Sequence, residues 1–94
     1  MYQIIDKRGS GKTSRLLLLA KEMNKPLICA NPYAMREKAH AYGIVGVRFY
    51  SYYDAVDGNP DDFKDGYFID ELSAFVEYVM RNNKMLGFSL SEDD

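Results

Sequence analysis

Apolar and polar positions fall in short blocks whose period switches between two and about three and a half residues. Tyr2 to Ile5 is a brief β-rich run that ends at Asp6 and a glycine-containing turn, and it reads as a strand. From Lys12 to about Asn24 the period is helical, with Leu16, Leu17, Ala20 and Met23 on one side and Asn24 and Pro26 ending it. Leu18 and Leu19 make this helix apolar nearly all round, which predicts a helix on a sheet with neighbours on both flanks. Pro26 to Ala30 is an apolar run too short for a helix and predicts a buried strand. Asn31-Pro32 then reads as an N-cap with proline at the first helical position, with Met35, Ala39 and Tyr42 at helical spacing and Gly43 as the stop.

Ile44 to Tyr50 is the third predicted strand. Ser51 with Asp54 three residues on resembles a capping box, and predicts a short helix over Tyr52 to Val56. Asp57 to Asp62 is turn-rich. Tyr67 to Ile69 is a fourth strand, running into Asp70-Glu71. Leu72, Phe75, Val76, Val79 and Met80 form the cleanest amphipathic stripe of the chain. Asn82-Asn83 breaks that helix, and Met85 to Leu90 is a candidate fifth strand. Strands alternating with helices predict an α/β fold with a mostly parallel sheet of four to five strands, helices on its faces, in one domain spanning residues 1–94.

Composition narrows this picture only in places. The 94 residues allow one small core, burying roughly two-thirds of the unfolded surface. The longest apolar run, Leu16 to Ala20, falls far short of the roughly 18 residues that span a membrane. No secretion signal is legible at the N-terminus, and Cys29 is the only cysteine, so the chain reads as cytoplasmic with no internal disulfide and no cysteine-based metal cluster. A net charge of −2 does not indicate a nucleic-acid partner. Charge is nevertheless uneven: Lys7, Arg8, Lys12 and Arg15 crowd one stretch, while Asp57 to Asp65 and Glu92 to Asp94 are acidic.

The chemistry concentrates in Asp6-Lys7-Arg8-Gly9-Ser10-Gly11-Lys12-Thr13. Glycines let backbone amides turn inward onto phosphate oxygens, a lysine reaches the β and γ phosphates, and a Ser or Thr hydroxyl ligates Mg²⁺. The helix that starts near Lys12 adds the positive end of its dipole. Arg8, Gly9, Ser10, Gly11, Lys12, Thr13 and Ser14 are therefore the expected nucleotide-binding residues. Asp6 stands where the usual pattern, G-x-x-x-x-G-K-[ST], has glycine, so its carboxylate must turn away or pair with Lys7 or Arg8. The competing reading is a Gly-Ser turn ahead of a helix that happens to begin Lys-Thr.

Tyr67 to Glu71, an apolar strand ending in two acids, supplies the complementary half. Asp70 would hold Mg²⁺ with Thr13, and of the two expected catalytic residues Glu71 would accept a proton from the water that attacks the γ-phosphate while Lys12 holds the phosphate. Read alone, two acids at a strand end equally suit a solvated helix start.

Met1 to about Met80 resembles a pared-down P-loop NTPase of the additional-strand, catalytic-glutamate division, with Walker A at the glycine loop and Walker B at Asp70-Glu71. It is nearest to the first lobe of helicase-like or terminase-like ATPases and to small phage-encoded P-loop proteins. The segments Pro26 to Pro32 and Phe49 to Tyr52 resemble the strand–helix junctions of those lobes. The resemblance implies a three-layer sandwich, ATP or another nucleoside triphosphate with Mg²⁺ as ligands, and hydrolase activity. It also implies what is missing: a second lobe, an arginine-rich lid and a substrate-phosphate pocket. An arginine finger would come from a homo-oligomer, a protein partner, or one of Arg36, Arg48 and Arg81. The reading from another class is a non-catalytic, nucleotide-gated regulatory module. Ser89 or Ser91 is a candidate polar sensor, against the simpler reading of a solvated end. His40 reads as a surface residue. Tyr50, Tyr52 and Tyr53 are expected to fill core and edge rather than to stack on bases.

Overall fold

The computed structural model describes residues 1–5, 11–58 and 60–91. Three parallel strands, β1 (Leu27–Cys29), β2 (Phe49–Ser51) and β3 (Phe68–Ile69), pair in the order β2-β1-β3. Leu27 lies opposite both Phe49 and Phe68, and Ile28 opposite Tyr50 and Ile69. Helix α1 (Lys12–Met23) precedes the sheet, α2 (Pro32–Ala41) links β1 to β2, and α3 (Leu72–Val79) follows β3. A π-helical turn at Asp54–Gly58 and a 3-10 turn at Asp61–Phe63 carry the chain from β2 to β3.

The central strand is wholly buried because its alternate side chains serve two faces. Leu27 and Cys29 belong to one cluster with Leu17 and Ala20 of α1, Met35 and Ala39 of α2, and Ile44. Ile28 belongs to the other face, where it lines a hollow with Phe63, Ile69 and Phe75. The two crossovers run in opposite directions along the sheet, so right-handed connections require them on opposite faces.

Local sequence chemistry closes each helix. Asn24 at φ 55° ends α1, with Lys25 N–H donating to Ala20 O at 3.0 Å. Gly43 at φ 73° ends α2, where Ile44 N–H bonds Ala39 O at 2.8 Å and Gly43 N–H bonds His40 O at 2.9 Å. Both are Schellman closures, which need a left-handed residue and return the next side chain to the core. The Asn31 Oδ1 accepts from Ala34 N–H at 3.1 Å, the expected N-cap of α2.

The structure corrects four expectations. The sheet has three strands among the described residues, not four to five: Tyr2 to Ile5 and Met85 to Leu90 are not strands. A strand exists only by pairing, and β propensity without a partner edge does not supply it. Tyr2 does lie beside Phe68, rings 6.4 Å apart, but Ile5 is 80% exposed and Leu86 92%. The third strand is shorter than Ile44 to Tyr50, because the helix closure takes Ile44 and Gly46 adopts φ 88°. Leu18 is exposed, so α1 is covered on one side and not on both flanks. The stripe of α3 is covered only in part: Phe75 and Val76 are half-buried, while Leu72, Val79 and Met80 face outward.

Candidate functional site

Because the strands are parallel, their carboxyl ends open on one rim, the edge at which open α/β sheets bind ligands. Ala30-Asn31, Tyr52 and Asp70-Glu71 follow β1, β2 and β3 onto that rim. The start of α1 comes to the same place. Gly11, its N-cap, holds φ 87°, a conformation that a side chain would strain. Ser14 Oγ donates back to Gly11 O at 2.9 Å. The first-turn amides of α1 have no partner within the helix, and that turn carries no acidic side chain to offset them.

Two contacts join this helix start to the end of β3. Lys12 Nζ stands 3.6 Å from Glu71 Oε1, and the Thr13 side chain lies close enough to Asp70 to favour its ionised carboxylate. Asp70 titrates above the ordinary aspartate value, first because burial strips its solvent and next because Glu71 repels its charge. Lys38 and Lys12 and the Thr13 side chain offset that rise in part. The pair is thus an electron-rich site that a cation would relieve, faced by a hydroxyl and an ammonium.

Glu71 sits at φ 59°, ψ 69°, left-handed for a residue with a side chain. Such a conformation costs on the order of 1–3 kcal/mol and persists where surrounding contacts impose it. Tyr52 supplies one such contact, donating its hydroxyl to Asp70 O at 3.0 Å. A cleft of about 230 Å³ adjoins the acids, walled by Ala30, Asn31, Lys38 and Tyr52.

Of the residues named from the sequence, Lys12, Thr13, Asp70 and Glu71 meet, with Gly11 and Ser14 beside them. Arg8, Gly9 and Ser10 lie outside the described residues, as do Asp6, Lys7 and the acidic tail 92–94. Arg48 is at the wrong end of the sheet, where it chelates Asp62 at 2.7 and 3.0 Å and also donates to Asn24. Arg36 lies over the Phe49 ring, 5.8 Å from its centroid. Arg81 follows α3 at φ 58°. Ser89, Ser91 and His40 are exposed, and neither serine ends a strand. The tyrosines divide: Tyr52 is buried, Tyr50 donates to Asp62 at 3.0 Å, and Tyr53 is exposed. Cys29 is buried, its thiol pushed up to about 11, which suits an inert core residue.

Sequence reasoning passed over Lys38 and the role of Tyr52. Lys38 was legible in principle, since Asn31, Ala34, Met35 and Lys38 recur on one helix face behind the cap. Tyr52 was not, because its partner is a backbone carbonyl 18 residues away. Compared with protein-family models, characterised proteins and solved structures, the chain matches none of them.

Proposed function

We propose that the chain is a small P-loop-type protein that binds a nucleoside triphosphate, ATP by preference, with Mg²⁺, and hydrolyses it slowly. The observation that carries this reading is the meeting of two motifs far apart in sequence, with Lys12 Nζ 3.6 Å from Glu71 Oε1 and Thr13 beside Asp70. The residues suit the ligands. Thr13 and Asp70 offer hard oxygen donors side by side, the donor class Mg²⁺ takes, and Mg²⁺ needs few protein ligands because it keeps waters and phosphate oxygens. Bound there, the cation would neutralise charge on the phosphates during phosphoryl transfer.

The chain's own groups do the rest. The first-turn amides of α1 and Lys12 bind phosphate oxygens, with Lys12 exchanging Glu71 for the ligand. Glu71, released, orients a water and accepts its proton. Turnover is slow in the isolated chain because Arg36 and Arg48 are engaged elsewhere, leaving an arginine finger to Arg81, a second copy or a protein partner. The three-layer, P-loop-like architecture belongs to this proposal.

Binding and hydrolysis of ATP by the purified protein, with and without Mg²⁺, test the reading beside Lys12→Ala and Glu71→Gln. Lys12→Ala abolishes binding, and Glu71→Gln binds but does not turn over. Binding without hydrolysis by the parent points instead to the nucleotide-gated module. No affinity for ATP or GTP at millimolar concentration ends both readings.

A further inference from the structure

We propose that Tyr52 is a positioning residue for the acidic turn: its hydroxyl holds the Asp70 carbonyl and thereby fixes the left-handed Glu71, aiming both carboxylates at the rim. What those carboxylates then do rests on the nucleotide reading above.

Tyr52 is built into the fold from both ends. Its backbone follows Ser51, whose Oγ accepts from Asp54 N–H at 3.0 Å while Asp54 Oδ2 accepts from Ser51 N–H at 3.4 Å. This reciprocal pair fixes the chain as it leaves β2. The residue is 7% exposed, and its ring packs edge-on against Phe75 of α3, centroids 5.4 Å apart at 74°, with Tyr78 at 5.9 Å. The hydroxyl therefore arrives with little freedom left. It meets Asp70 O at 3.0 Å and Glu71 O at 3.5 Å, the two carbonyls that flank the strained residue. A phenol is protonated throughout the physiological range, so the hydroxyl remains a donor there. Phe75 and Tyr78 lie in the helix that Glu71 caps, so one side chain ties β2, the turn and α3 together.

Tyr52→Phe keeps the ring and removes the bond. In the intact chain we expect it to lower the turnover number for MgATP about tenfold with KM within twofold, because Glu71 loses its aim while the phosphate contacts stay. We also expect it to lower the thermal midpoint of the parent, and to lower it by half as much or less in a Glu71→Gly background. There glycine adopts the left-handed turn without help. Equal drops in the two backgrounds overturn the proposal, as does unchanged turnover by Tyr52→Phe in a parent that hydrolyses ATP. If the parent binds no nucleotide, the functional reading fails on its own, and the paired midpoints still decide whether Tyr52 holds the turn.

Discussion

Asp70 carries the sharpest conflict between stability and chemistry. Its folded-state value lies above the unfolded one, so between the two the folded chain binds the extra proton. Stability therefore falls as pH rises through that window, and the loss remains at neutral pH. Lys12, Lys38 and Thr13 soften it without removing it. Asp70→Asn should accordingly raise the thermal midpoint at pH 7 and flatten the decline between about pH 4 and the raised value, as read by thermal melts across pH. About 1 kcal/mol moves a domain of this size by roughly 4–8 °C. The same substitution should abolish Mg²⁺-dependent ATP binding. Asp62 has the opposite sign. Arg48 holds its carboxyl below the ordinary value, so that contribution is lost only as pH falls through the acid range. Arg48→Ala should cost about 1 kcal/mol, discounted for exposure, and Arg48→Lys should not restore it, since the fork to Asp62 and Asn24 needs a guanidinium. Chemical denaturation measures both, and ATP binding should be unaffected.

Among the elements, helices were more legible than strands. The limits of α1 and α2 follow from signals a few residues long, Asn24 and Gly43 at the ends and Asn31-Pro32 at a start, each satisfying orphan backbone groups locally. Asn31→Ala should therefore cost about 1 kcal/mol in denaturant unfolding by leaving the Ala34 amide uncapped. Strands depend on partners that local sequence does not name. Leu27–Cys29 was legible because a short apolar run between Pro and Asn has little alternative to the sheet centre. Tyr2 to Ile5 and Met85 to Leu90 had similar residue types, yet the paired edges of β2 and β3 do not extend to them. The amphipathic stripe of α3 was read correctly as helix, while its coverage, set by neighbours, was not.

At the scale of the molecule, one cluster joins α1, β1 and α2, and Leu17 is fully buried within it. Leu17→Ala should cost about 2–5 kcal/mol, much or all of the margin of so small a domain, and melts should show it as loss of a cooperative transition or a greatly lowered midpoint. Because α1 carries Lys12 and Thr13 at its first turn, this packing also sets how the start of α1 meets Glu71. The sequence by itself determined the α/β alternation and the limits of α1 and α2, and it named Lys12, Thr13, Asp70 and Glu71 as candidate site residues, because spacing, capping and residue chemistry are local. Only the tertiary structure decided how many strands pair, that Arg48 works at the far end of the sheet, and that Tyr52 and Lys38 flank the acids. Those outcomes depend on edges, burial and backbone partners brought together from distant parts of the chain, and no short window of sequence encodes them.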